Sequence, residues 1–101
     1  MTLTIKKGNG VVRLTGELDI AGEGDFTKAL QPEIERGGDV TLDLGGLTFI
    51  DSSGVRAIIV AADRINGNGR IVLRSPGNAV QRVLDLMRLD TVPNVEVERQ
   101  A

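Results

Sequence analysis

Asp51-Ser52-Ser53-Gly54 sets a carboxylate, two hydroxyls and a glycine in a row, after the apolar stretch Leu47 to Ile50 and before residues at helical spacing, Val55, Ile58, Ile59, Ala62 and Ile65. The Asp and both serines are helix-capping types, since each can accept a hydrogen bond from the N–H two or three residues on, worth about 1 kcal/mol. One cap serves one helix, so a row of three leaves side chains over for other chemistry. Ser52 stands at the centre of this reading, as a hydroxyl presented where the backbone N–H groups of a new helix are unpaired. Gly54 weakens the helix but leaves its start uncovered, which suits close approach by another molecule. A second acidic motif, Gly16-Glu17-Leu18-Asp19, also leaves a strand-like run. If both runs end at one sheet edge, Asp19 and Asp51 come near Ser52. Two carboxylates beside a hydroxyl suit acid–base chemistry, a metal site, or plain solvated loop acids. The last is preferred, because no third ligand or base accompanies them.

Composition narrows the chemistry further. The sequence has no His and no Cys, which removes the usual general base at neutral pH, the usual zinc ligand, the Ser-His-Asp triad and thiolate chemistry. No catalytic residue, metal or cofactor is therefore expected, and the protein is not read as an enzyme. The 12 basic and 14 acidic residues, net −2, are mixed along the chain with no cationic run, which argues against a nucleic-acid partner. No apolar run approaches the ~20 residues of a membrane span, and the N-terminus lacks a signal peptide's order. A soluble, cytoplasmic protein is expected. At 101 residues with two aromatics, Phe26 and Phe49, the chain fits one domain over 1–101 with an aliphatic core.

The elements that must position Ser52 are legible as periods. Leu3 and Ile5, then Val11, Val12 and Leu14, flank Asn9-Gly10, a strong hairpin signal that predicts antiparallel strands at 2–6 and 10–16. Phe26, Leu30 and Ile34 predict a helix starting as late as Glu23 to Phe26, bent or shortened by Pro32 and stopped by Gly37-Gly38. A central strand spans Val40 to Leu44, a loop leads to the motif, and a helix spans Ser53 to Ile65 and is closed by Asn66-Gly67-Asn68-Gly69. The run Ile71-Val72-Leu73 reads as a strand buried on both faces. A third helix carries Val80, Val83, Leu84 and Met87, and a last strand runs from Val92 to Glu98. The expected fold is α/β: one mixed, mostly parallel sheet begun by an N-terminal hairpin, with about three helices. Strand order is not fixed by the pattern.

On the helix after the motif, Ala57, Val60, Ala61 and Arg64 form a second stripe, facing away from the first. Two readings stand level: a helix wedged between sheet and neighbour, or a partner-binding face beside Ser52.

These residues together resemble the STAS domain, in particular the anti-sigma factor antagonists of bacteria. The resemblance is carried by Leu14 to Asp19, Val40 to Leu44, Phe49 to Gly54 and Val80 to Asp90. It implies that the serine directly after the Asp, Ser52, is phosphorylated, with Asp19, Asp51, Ser53 and Gly54 forming the switch loop around it. It implies an anti-sigma factor that is also a serine kinase as partner, a phosphatase that reverses the modification, and release of a sigma factor by the unmodified form. Arg56, Ala57, Val60, Ala61 and Arg64 are then the expected partner-binding residues. The oligomeric state is left open between monomer and weak dimer. STAS domains also serve in lipid-transport ATPases and stress-signalling complexes, which is the alternative function. Three features depart from the family pattern. Arg56 replaces a small residue one turn from the switch, where it can pair with Asp51 or with a phosphate. Arg88 stands where a helix-ending glycine is frequent, and a C-terminal helix found in some relatives is expected to be short or missing.

Overall fold

The computed structural model describes residues 2–65, 67 and 69–98 of the chain. In order, the elements are β1 (Leu3–Gly8), β2 (Val11–Leu18), α1 (Glu23–Arg36), β3 (Val40–Ile50), α2 (Ser52–Asp63), β4 (Ile71–Arg74), α3 (Asn78–Leu86), a 3₁₀ turn (Leu89–Thr91) and β5 (Val95–Glu98). Asn66, Asn68 and residues 99–101 lie outside the described residues, so the closing turn of α2 is seen only in part and the expectation for the C-terminus is not addressed.

The sheet order is β1-β2-β3-β4-β5, with β1 antiparallel to β2 and every later pair parallel. Asn9 and Gly10, both at positive φ (53° and 78°), make the tight turn of the hairpin. The three crossovers step in one direction along the sheet, and the right-handedness that such connections almost always share puts α1, α2 and α3 on the same face. Burial agrees. Val12, Leu14, Leu42, Leu44, Ile71 and Leu73 are buried, whereas their alternating neighbours Arg13, Thr15, Thr41, Asp43 and Arg74 are not. Among the described residues the fold is thus two layers, and no helix covers the second sheet face. Cross-strand pairs run over that face: Arg13 to Asp43 at 3.1 Å, Arg70 to Glu96 at 2.7 Å and Arg74 to Glu98 at 3.4 Å. Val72, which points outward between Thr41 and Glu96 in register, is nevertheless buried.

The last strand begins at Val95 rather than at Val92, and the structure corrects two further expectations. The stretch 45–50, expected as a loop, continues β3: past Asp43 the strand leaves β4 but stays paired with β2 through two register shifts, which keeps Leu47 and Ile50 in the core. Pro32 does not shorten α1, which runs on to Arg36. The lost N–H and the ring's crowding of the preceding turn cost about 3 kcal/mol or more, which the packing of the helix outweighs. Phe26 and Leu30 are fully buried on its other side, and Glu33, in the next turn, pairs with Lys7 at 3.3 Å and Arg36 at 2.7 Å. Burial pulls the Glu33 carboxyl up, but these two cations together hold it below its ordinary value.

Candidate functional site

β2 and β3 end side by side, with Leu18 opposite Ile50, and the Asp51 N–H reaches on to the Leu18 carbonyl at 3.4 Å. Asp51 is extended (φ −113°, ψ −174°) and its Oδ1 accepts from the Gly54 N–H at 3.0 Å. The carboxylate is therefore the cap, and α2 begins at Ser52. Among the described residues the Ser52 hydroxyl takes no part in capping, and the side chain is exposed; Ser53 is half-buried.

Gly54 has a different role from the one its sequence position suggested. It is buried, and a Cβ there would meet the Leu18 carbonyl oxygen at 2.5 Å and Ile50 Cγ1 at 2.8 Å. Only a glycine lets the first turn of α2 sit this closely on the ends of β2 and β3. It sets the height at which Ser52 is held and leaves no opening for an outside molecule.

Asp19 follows Leu18 as Asp51 follows Ile50, so the two acids do occupy adjacent strand ends. Each serves its own turn. Asp19 Oδ1 accepts from the N–H groups of Ala21 at 3.1 Å and Gly22 at 3.2 Å. No cluster of three or more metal-ligating side chains occurs among the described residues.

The second stripe of α2 divides. Ala57 and Ala61, 5% and 6% exposed, belong to the core where α1 packs alongside α2, so they cannot contribute to an accessible partner face. Val60, 49% exposed, stays outside with Arg56 and Arg64. Val60 and Arg64 border a cleft of about 280 Å³ whose other wall is Val92, Pro93 and Asn94.

Two residues that the pattern had not marked also lie at this edge. Ile20 is 74% exposed just after Asp19, and Phe49 is 42% exposed two residues before Asp51. Phe49 lies beside Glu17 in register, and Glu17 Oε2 is buried without a partner among the described residues. An apolar side chain stranded between polar motifs was the only available signal, and strand alternation through an unforeseen bulge hid it.

The chain belongs to the STAS domain family: the family described as "Mlab, STAS domain" matches residues 1–96. Solved structures agree. An anti-sigma factor antagonist, SpoIIAA, solved in its unphosphorylated form, is 19% identical with a TM-score of 0.71 over 99% of this chain and 89% of its own. A Thermotoga maritima protein described as a candidate anti-sigma factor antagonist is 28% identical, with a TM-score of 0.75 over 98% of this chain and 86% of its own. An anti-sigma factor antagonist from Mycobacterium paratuberculosis is 21% identical, with a TM-score of 0.74 over 94% and 84%. No helix among the described residues is long and apolar enough to cross a membrane.

Proposed function

We propose that this chain is an anti-sigma factor antagonist, a binding module that engages an anti-sigma factor of the serine-kinase type and is switched off by phosphorylation of Ser52. The observation that carries the reading is the division of labour at the α2 start: Asp51 caps, and Ser52 is left exposed. In the modifying step the Ser52 oxygen attacks the γ-phosphorus of ATP. The bond to the β,γ-bridging oxygen breaks, ADP leaves, and the hydroxyl proton passes to a base of the kinase. The added charge of about −1.5 to −2 sits at a helix N-terminus, which tolerates anions, so the fold survives and the effect falls on the partner's surface. Ile20 and Phe49 supply exposed apolar contacts at the strand ends that carry the serine, and Val60 and Arg64 extend the surface along α2 towards its C-terminal end. In this reading the protein acts by binding, in the cytoplasm, and a phosphatase restores the active form.

A second reading, the STAS subunit of a lipid-transport ATPase, is favoured by the matching family's description, which names Mlab. Incubation with the cognate kinase and ATP, followed by mass-spectrometric site mapping, tests the first reading. Phosphate on Ser52 supports it; phosphate on Ser53 or a threonine with Ser52 unmodified overturns it.

A further inference from the structure

The unmodified switch holds a cation one helical turn from the serine, and the role assigned to it rests on reading Ser52 as the phosphoacceptor. Arg56 comes four positions after Ser52 on α2, and both side chains are exposed. Side chains so spaced are neighbours on one helix face, with Cβ atoms about 5–6 Å apart, and an anion N-terminal to the cation is the favourable order. Asp51, the acid nearest to Arg56 in sequence, has its Oδ1 already taken by the Gly54 N–H. Among the described residues, the arginine ion pairs of this protein are made by Arg13, Arg36, Arg70 and Arg74, and Arg56 makes none.

We propose that Arg56 is the intramolecular partner of the phosphate on Ser52, its guanidinium fork donating to two phosphate oxygens across one turn of α2. The pairing acts in two ways. Phosphorylation adds a dianion and at the same moment withdraws the guanidinium from the surface shown to a partner, so the local charge falls from about +1 to roughly −1. The paired phosphate is also sheltered, which lengthens the life of the modified state against a phosphatase.

The test installs phosphoserine at position 52 during synthesis by genetic encoding, so that it does not depend on any kinase. Hydrolysis by a broad-specificity serine phosphatase is then followed in the parent and in Arg56→Gln and Arg56→Lys, and the Arg56 Nε–H resonance is recorded with and without the phosphate. The expected result is hydrolysis about fivefold faster in Arg56→Gln, an intermediate rate in Arg56→Lys, which keeps the charge but loses the fork, and an Nε–H resonance that moves on phosphorylation. Equal rates in all three proteins with an unmoved resonance would overturn the pairing. A parent chain that the cognate kinase leaves unmodified at Ser52 would instead overturn the function proposed above, and the two failures are read in separate experiments.

Discussion

The carboxylate of Asp51 accepts the N–H of Gly54 at 3.0 Å, and this single bond decides which member of the motif is structural and which is free. Replacing the cap removes a partner from an orphan N–H; replacing the exposed serine beside it removes nothing the fold uses. Asp51→Ala should therefore lower stability by about 1 kcal/mol, and Ser52→Ala by well under that. Thermal unfolding of both variants measures the difference. A loss above roughly 3 kcal/mol for Ser52→Ala would make the serine a structural keystone.

Gly54→Ala separates propensity from packing. Helix propensity alone makes alanine better by about 1 kcal/mol. The 2.5 Å approach of a Cβ to the Leu18 carbonyl oxygen is a clash with backbone, which cannot rotate away. The expected outcome in urea unfolding is a net loss of about 1–3 kcal/mol, and a stabilised variant would show that α2 can slide on the sheet.

The two halves of the second α2 stripe should respond in opposite ways to the same charge. Val60→Glu, on the exposed side, is expected to unfold at nearly the parent temperature and to bind the partner more weakly. Ala61→Glu places a carboxylate where the side chain is 6% exposed against α1, and should cost several kcal/mol or prevent folding. Circular dichroism melts together with a binding titration read both effects.

Asp43 gives the second sheet face a pH dependence. The Gly45 N–H at 2.9 Å, against the upward pull of burial and with help from Arg13 and Arg74, holds its carboxyl below the ordinary value. A depressed folded value means that the native state favours the ionised form. The resulting stability is present above the unfolded-state value and is lost as pH falls through the folded one. Asp43→Asn should thus be less stable than the parent near neutral pH, with the gap closing as the solution is acidified. Denaturant midpoints measured from neutral to acid pH check this, and a gap independent of pH would assign the loss to packing.

The periods of the chain foretold the hairpin, the three helices and the mostly parallel sheet, because each rests on local spacing and turn residues. Asn9-Gly10 is the plainest case, realised as two consecutive positive-φ residues. Arg88, noted as standing in a glycine position, does adopt left-handed backbone at φ 58°. Other features depend on contacts between distant segments and could not be read the same way. Gly54 as an opening and Gly54 as a packing contact are identical in sequence; the Leu18 carbonyl decides between them. Ala57 and Ala61 fit either an interface or a close helix pair, and α1 supplies the answer. Asp51, Ser52 and Ser53 are comparable caps until the strand exit sets the dihedral angles of Asp51. Phe49 was invisible as a surface residue because its facing depends on the register shifts between β2 and β3.

The central claim is that a phosphate on Ser52 turns partner binding off while leaving the fold intact. Titration calorimetry of the anti-sigma factor against the unmodified protein and against the same protein phosphorylated at Ser52 tests it most directly. A buried like charge costs about 1.4 kcal/mol or more, so the account predicts at least about tenfold weaker binding of the phosphorylated form, with an unchanged melting profile. Phosphorylated protein that binds as tightly as the unmodified protein would contradict it.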